Sequence, residues 1–376
     1  MSAGHQDRTE DRIHLDRAAR IALRGHGRVE PNPLVGCVVL DAEGRVVAEG
    51  HHRRCGEAHA ERIALTRAGE RARGGTLYCT LEPCAHQGRT PPCTEAIIES
   101  GIARVVFGTV DPFPPAAGGA AVLEAAGIEV DRFETPATAR VSAPFVHRVR
   151  TGLPWIVAKW AQTLDGRIAT ASGDSRWISS ARSRRLVHRE RGRVDAVMTG
   201  IGTVLADDPD LTPRDVRTPW RRPERIVVDD DLRTSPEARL VRTAGETTTL
   251  ILCRREAART DRADRLRERG VLLHEIPDDG TLREALHRLA SERGLATILV
   301  EAGGGLLGRL FREDLVNDAL VFTAPRLLGD ASAPGAVRGF EPSRIADGIE
   351  LDRLCAFPRN ADLLAWYRFR GRERPE

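Results

Sequence analysis

Lysine is almost absent from this chain. Of its 57 basic residues, every one except Lys159 is arginine. A bias this strong reads as nucleotide composition of the source genome. A surviving ammonium therefore marks a place where a planar, permanently charged guanidinium is a poor substitute. Asparagine is scarce as well, confined to Asn32, Asn317 and Asn360. Aromatic residues make up 4% of the chain, and the stretch before residue 150 holds one tyrosine, Tyr78, and no tryptophan. That scarcity argues against a surface on which unpaired bases stack. A net charge of +3 is too slight to argue for a nucleic-acid partner. No apolar run is long enough to span a bilayer, so no membrane partner is expected. Met1 to Glu10 is polar and carries no apolar segment of the secretory kind, so no signal peptide is expected. Seven cysteines, five of them before residue 94, do not make an extracellular framework. In a reducing cytosol they read as metal ligands or buried small hydrophobes, and a cytoplasmic protein is expected.

What is present concentrates in one stretch. Gly56-Glu57-Ala58-His59-Ala60-Glu61 is followed by Leu81-Glu82-Pro83-Cys84 and by Pro91-Pro92-Cys93. One imidazole and two thiolates suit zinc, which takes His nitrogen at ~2.0–2.1 Å and Cys sulfur at ~2.3 Å and keeps its fourth position open in catalytic sites. Glu61 is then a carboxylate free to do something other than bind metal. A structural zinc would use the same three ligands and leave Glu61 idle. His-x-Glu followed by Pro-Cys and a second Cys is the pattern of zinc deaminases of nucleobases and related rings. His59 and Glu61 are expected at the start of a helix, Cys84 at the end of the strand Thr76–Leu81, and Cys93 opening the next helix. Both thiolates then lie near a positive helix end, which favours their ligating form. The short deaminase signature separates its cysteines by two residues; here Ala85 to Pro92 makes eight.

The length predicts two or three domains, each with its own core. Apolar positions at Leu15, Ala18, Ala19, Ala22 and Leu23 mark an amphipathic helix over 12–24. Strands over 35–40, 45–50, 76–81, 104–108 and 128–130 alternate with helices, which indicates an α/β sheet covered on both faces. Thr135 to Leu153 reads as a boundary helix and linker. A second α/β run opens at Pro154, with strands near 196–198, 225–228, 248–252, 271–273 and 297–300. Helices are expected near 181–191, 262–269, 281–293 and 306–313, and closing strands at 320–322 and 364–367. The division falls as 10–149 and 150–376. In the second part Glu301-Ala302-Gly303-Gly304-Gly305-Leu306 lies between a strand and a helix, where glycines let backbone N–H groups approach a phosphate. It is equally compatible with a plain strand-to-helix turn. Thr199-Gly200-Ile201-Gly202-Thr203 is a second small-residue loop, and the two together suggest a dinucleotide-sized ligand. The usual Gly-x-Gly-x-x-Gly is absent.

Taken together, His59-Ala60-Glu61, the run Cys84-Ala85-His86-Gln87-Gly88-Arg89-Thr90-Pro91-Pro92-Cys93, Pro31-Asn32-Pro33, Leu164-Asp165-Gly166 and Thr203-Val204-Leu205-Ala206-Asp207-Asp208-Pro209 resemble one family. It is the bifunctional deaminase–reductase family of riboflavin biosynthesis, and the resemblance runs from about Asp11 to about Arg370. It implies a cytidine-deaminase-like α/β/α domain followed by a dihydrofolate-reductase-like α/β domain. The implied activities are zinc-dependent deamination of a phosphorylated pyrimidine, then NADPH-dependent reduction of its ribosyl group. By the same resemblance His59, Cys84 and Cys93 hold zinc and Glu61 shuttles protons. Ala161, Trp177, Thr203, Asp207 and the loop Gly303, Gly304, Gly305, Leu306, Leu307, Gly308, Arg309 fall at cofactor positions. Asn32, Ser175, Arg191, Leu211, Arg214 and Glu301 fall at substrate positions. Arg191 and Arg214 read either as clamps on a terminal phosphate or as solvated surface residues. A homo-oligomer, dimer or tetramer, is expected. Three departures stand out: Asp111-Pro112-Phe113-Pro114 where the family usually has Asp-Pro-Asn-Pro, Gly118-Gly119-Ala120 in place of Gly-x-Gly, and Asp230 where a Ser is often found beside the cofactor. Two rival readings carry the same motif: a deaminase of bases in RNA or DNA, and a zinc-stabilised module without catalysis.

The lone lysine generates a prediction. Lys159 lies on the strand that opens the second part, two residues before Ala161. Replacing it by arginine is expected to lower the reduction rate at least about tenfold, since ~1 Å of misplacement costs ~10²-fold. Zinc content and deamination should be unchanged. Wild-type reductase kinetics in Lys159→Arg would mark the lysine as an accident of codon drift.

Overall fold

The structure, a computed structural model, describes residues 3–87, 91–216, 222–277 and 280–369. Gly88, Arg89 and Thr90 of the long inter-cysteine segment, and Arg370, lie outside the described residues. The chain divides into two compact units, Met1–Gly152 and Leu153–Glu376. None of the helices among the described residues is long and apolar enough to cross a membrane.

The first unit runs α1 (Ala3–Ala22), β1 (Gly36–Leu40), β2 (Val46–His51), α2 (Ala60–Ala68), β3 (Thr76–Leu81), α3 (Cys93–Ser100), β4 (Arg104–Thr109), α4 (Gly119–Ala125), β5 (Glu129–Arg132) and α5 (Pro136–Thr151). Its sheet has the order β2-β1-β3-β4-β5. β1 pairs antiparallel with β2 and β3, while β3, β4 and β5 are parallel. Every residue of β1 is buried, which is why Gly36–Leu40 reads as a continuous apolar run instead of an alternating one. The alternation reappears in where side chains go. Cys37 and Val39 join Leu77, Cys79, Ala60, Ala64 and Ile97 on one face. Val38 and Leu40 join Leu15, Ala18, Ile21, Tyr78 and Val106 on the other. The sheet is therefore sandwiched between α2, α3 and α4 on one side and α1 with α5 on the other.

Two glycines let helices seat against the sheet without an intervening side chain. A Cβ on Gly36 would lie 2.0 Å from the Ala18 carbonyl oxygen, and one on Gly50 would lie 2.1 Å from that of Ala60. The second contact is the one that matters for chemistry, because Ala60 begins the helix that carries His59 and Glu61.

The second unit runs β6 (Trp155–Thr163), α6 (Ala181–Arg191), β7 (Ala196–Gly200), α7 (Ile201–Asp207), β8 (Glu224–Val228), α8 (Arg239–Arg242), β9 (Thr249–Arg254), α9 (Asp261–Glu268), β10 (Leu272–Ile276), α10 (Leu282–Arg293), β11 (Thr297–Glu301), α11 (Gly304–Arg312), β12 (Asp318–Ala324), β13 (Leu351–Arg359) and β14 (Asp362–Phe369). They form one sheet in the order β10-β9-β8-β7-β11-β6-β12-β14-β13. Strands β10 to β12 in that order are parallel, and β14 and β13 add an antiparallel ribbon. Ile226, Val228, Leu250 and Leu252 face one apolar layer, and Val227, Ile251 and Cys253 the other.

Several elements differ from the sequence reading. α1 starts at Ala3, nine residues before the helix expected over 12–24. Cys84 does not end β3. The strand stops at Leu81, and Glu82-Pro83 carry the chain onward; Pro83 has no N–H to offer the ladder. Pro92 is the N-cap of α3, with Cys93 its first helical residue. The glycines read as loops start helices: α7 opens at Ile201, directly after Gly200, and α11 at Gly304. β13 was not expected at all. It is an edge strand, partly exposed along its length, irregular in register between Arg353 and Cys355 and with Pro358 near its end, so its apolar pattern is weak.

The seating at Gly50 can be tested. Gly50→Ala is expected to push α2 off the sheet, lowering stability by about 1–3 kcal/mol, the usual cost of overpacking. Thermal melting of the full chain and its zinc content should fall together. An unchanged melting temperature would mean that β2 and α2 tolerate the extra methyl by moving apart.

Candidate active sites

Two helix N-termini and a loop assemble the first site. His59 is the N-cap of α2 in extended conformation, so its ring leaves the helix start while Glu61 sits in the first turn. Cys93 opens α3, and Cys84 comes from the segment after β3. His59 Nδ1 lies 3.6 Å from Cys84 Sγ and 3.3 Å from Cys93 Sγ. Donor atoms of His59, Cys84 and Cys93 all fall within 4.8 Å of one another. The Cys93 backbone N–H donates to Cys84 Sγ at 3.4 Å. The Cys93 thiol first, then His59 and that N–H, hold the Cys84 thiol well below its ordinary range, against the effect of burial. One nitrogen and two sulfurs in a half-open triangle are a donor set suited to zinc with one position left for a small molecule.

Glu61 completes the arrangement. It is buried, and its Oε2 finds no hydrogen-bond partner among the described residues. Burial raises its pKa, a tendency that His59 opposes. A buried carboxylate oxygen without a partner beside an open metal position is what a proton-carrying group requires, because its partner arrives with the reactants.

Asn32 connects to this cluster through a residue the sequence reading missed. Asn32 Nδ2 contacts His52 Nε2 at 3.3 Å, His52 Nδ1 contacts the Ala58 carbonyl at 3.2 Å, and the His52 and His59 rings meet edge-on at 5.4 Å. Only its place beside β2 could have flagged His52. Glu82 was likewise not singled out. Its carboxylate accepts from the backbone N–H groups of Asp111, Gly118 and Ala120, and so ties down the loop that bears two of the departures. Phe113 on that loop is 42% exposed and packs edge-on against His86 at 6.4 Å.

The second site is a cleft of about 1320 Å³ along the C-terminal edge of the parallel strands. At its centre parallel pairing sets Glu301 of β11 opposite Lys159 of β6. Arg191 grips the Glu301 carboxylate through two edges, Nε at 2.5 Å and Nη2 at 3.0 Å, and donates to the Thr212 carbonyl at 3.1 Å. Lys159 Nζ lies 3.7 Å from Glu301 Oε2. Burial depresses the Lys159 pKa, Glu301 opposes that effect, and Arg191 adds to it. Burial alone would raise Glu301; Arg191 and Lys159 overcome it and hold the carboxyl at about 2.

The expected cofactor and substrate residues divide by position. Ala161, Ser175, Trp177, Thr203 and Asp207 line this cleft, as do Leu211 and Arg214. So do Gly303, Gly305, Leu306 and Arg309. Gly304, Leu307 and Gly308 do not. Leu307 is fully buried in the core. Gly308 exists for close approach, since a Cβ there would lie 1.7 Å from the Arg338 carbonyl oxygen. A Cβ on Gly202, Gly303 or Gly305 would meet nothing within 4 Å, so bare backbone borders open space at these loops. Such cradles fit a phosphate-bearing cofactor. Trp177 is 57% exposed, with the Arg184 guanidinium 4.3 Å above its ring. Arg214 is exposed.

Comparison with known proteins gives a match in each of the two units. Residues 8–109 match the cytidine and deoxycytidylate deaminase zinc-binding region, and residues 154–357 match the RibD C-terminal domain. A zinc deaminase joined in one chain to a reductase is the class these matches define. The riboflavin biosynthesis protein RibD of Escherichia coli is 41% identical over 355 residues, covering 90% of this chain and 94% of that one. Its counterpart from Aquifex aeolicus is 40% identical over 337 residues, covering 89% and 92%. Among solved structures, Acinetobacter baumannii RibD superposes with a TM-score of 0.82 at 33% identity, covering 96% of this chain and 99% of that one. A diaminohydroxyphosphoribosylaminopyrimidine deaminase/5-amino-6-(5-phosphoribosylamino)uracil reductase from Thermotoga maritima gives 0.80 at 31%, covering 97% and 100%. The chain belongs to the RibD family, the bifunctional deaminase–reductases of riboflavin biosynthesis.

The Glu301 cluster predicts an acid dependence. A carboxyl lowered from 4.5 to about 2 contributes stability above pH 4.5 that is lost as the pH falls through about 2. The contribution is of order ~3 kcal/mol. Urea denaturation of wild type and Glu301→Gln should show a stability gap at pH 6 that narrows steadily below pH 4.5. A gap independent of pH would show that Arg191 and Lys159 do not keep the carboxylate ionised.

Proposed function

We propose that this chain deaminates 2,5-diamino-6-(5-phosphoribosylamino)pyrimidin-4(3H)-one in residues 10–149 and reduces the ribosyl group of the product to ribityl in residues 150–376. The observation that carries the reading is the partnerless Glu61 Oε2 beside the triangle of His59, Cys84 and Cys93. Bound zinc supplies the Lewis acidity that lets water act as a nucleophile near neutral pH. His59 Nδ1 and the sulfurs of Cys84 and Cys93 hold it. Glu61 Oε2 takes a proton from the attacking water and delivers it to the departing amine, so that water and the ring amine become a carbonyl and ammonia. Its burial keeps the proton from leaking to bulk solvent. Asn32, braced by His52, orients the pyrimidine.

NADPH supplies the reducing equivalent for the second reaction. The bare backbone at Gly303 and Gly305 and the side chains of Ala161, Trp177, Thr203, Asp207, Leu306 and Arg309 receive it, with Gly304, Leu307 and Gly308 shaping that loop from behind. Lys159 Nζ faces the reacting ribosyl group, held in place by Glu301, and its lowered pKa eases proton donation to an oxygen of the opening ribose. Ser175, Leu211 and Arg214 position the substrate. Arg191 acts chiefly through Glu301, since its guanidinium is already engaged there. The chain works as a cytoplasmic homo-oligomer, a dimer or tetramer.

Two variants separate metal binding from proton transfer. Cys84→Ser should lose zinc and deamination together, while reduction of pre-deaminated substrate survives. Glu61→Gln should keep zinc and fold but lose deamination by ~10²–10⁴-fold, the usual worth of a positioned acid–base group. Metal analysis and mass-spectrometric product assays with and without NADPH read both. Full zinc in Cys84→Ser, or normal turnover in Glu61→Gln, would overturn the assignment.

A further inference from the structure

The reductase cleft extends well beyond Lys159 and Glu301. It runs along the sheet edge from β6 past β11 and β7 to β8. Three strand spacings of ~4.8 Å make that distance about 14 Å. At its far end, just past β8, stands Asp230, and across from it Arg309 projects from α11; both line the cleft. Arg309 Nη1 lies 3.3 Å from Asp230 Oδ1. Its other edges are taken too: Nε donates to Glu313 Oε1 at 3.1 Å and Nη2 donates to the Gly280 carbonyl. Between this pair and the catalytic end lies the N-terminus of α11, with open space beside Gly303 and Gly305.

Dinucleotide sites commonly carry an acidic side chain at a strand end where the adenosine ribose presents a 2′-hydroxyl, and an arginine where it presents a 2′-phosphate. This chain has one of each at the same corner, paired with one another. We propose that Asp230 is a specificity-determining residue which, by holding Arg309, narrows the preference of the reductase site for NADPH over NADH. The inference rests on the reading of this cleft as the NADPH site.

The physical argument is one of charge and of available donors. A 2′-phosphate at this corner calls on Arg309, yet each of the three nitrogens of that guanidinium already has an acceptor. The phosphate must compete with the Asp230 carboxylate for it and then lie beside that carboxylate, like charge against like charge. A 2′-hydroxyl faces neither cost and gains Asp230 as an acceptor. Discrimination of this kind comes from a repulsive element as much as from an attractive one. Among neighbouring charges Glu313 adds to the repulsion and Arg254, 3.3 Å from Asp231, serves that carboxylate, while Arg239 and Arg338 line the same cleft and are present alike in wild type and both variants.

Binding to the full chain tests this without turnover. Dissociation constants for NADPH, NADH, adenosine 2′,5′-bisphosphate and AMP are measured by titration calorimetry on wild type, Asp230→Asn and Arg309→Leu. Removing one charge near a partly exposed site is worth about fivefold or more. Asp230→Asn should therefore tighten NADPH and adenosine 2′,5′-bisphosphate by at least that factor, while NADH and AMP do not tighten. Arg309→Leu should weaken NADPH more than NADH. Equal shifts for NADPH and NADH in Asp230→Asn, or no shift in either, would overturn the proposal while leaving the cofactor site intact. Failure of wild type to bind either dinucleotide would instead overturn the cofactor reading, and this inference with it.

Discussion

The parallel pairing of β6 with β11 is the constraint on which the second unit's chemistry depends. Its register puts Glu301 opposite Lys159, and the carboxylate is then shared between that ammonium and the fork of Arg191. Parallel strands also end on one edge of a sheet. Loops that are distant in sequence, after β6, β7, β8 and β11, therefore border one cleft, as ligand sites in open α/β sheets generally do. An antiparallel arrangement of the same strands would scatter them to opposite edges.

The first unit solves a different problem with the same geometry. It must bring three soft and borderline ligands to one point and leave a carboxylate dry beside them. α2 connects β2 to β3 and α3 connects β3 to the parallel strand β4, the starts of the two helices converge, and each helix start contributes one ligand. Glycine at position 50 lets α2 approach closely enough for this to happen. The backbone N–H of Cys93 at Cys84 Sγ shows the consequence, a sulfur stabilised by the helix that its fellow ligand opens.

The arginine bias has structural consequences throughout. Arg225, on β8, is fully buried; its Nη2 donates to the carbonyls of Leu240, Thr243 and Thr247 and its Nη1 to Thr243 Oγ1, a reach from two nitrogens that a single ammonium lacks. Arg104 bridges Asp11 and Asp131 in the first unit, again with several bonds at once. Lys159 stands apart as the opposite kind of group, one compact donor beside Glu301 with a pKa that burial lowers.

The amino-acid sequence by itself determined the two α/β runs, since strands buried on both faces must be apolar throughout and helices between them must carry one apolar face. It also pointed to His59, Cys84 and Cys93 as a candidate metal set with Glu61 beside it, because His, Cys and Cys in that order between strand and helix signals have few other uses, and the structure brings the donor atoms of those three together. Spacing could not reveal the partners that tertiary contact supplies. His52 behind Asn32, Glu82 beneath the Asp111–Ala120 loop, and the engagement of Arg191 by Glu301 join residues brought together only by folding. Nor could composition separate the glycines that border open space, Gly303 and Gly305, from Gly304 and Gly308, which exist for packing. Whether a glycine faces a ligand or a neighbouring carbonyl depends on which side of the backbone the rest of the chain occupies, and only the tertiary structure decided that.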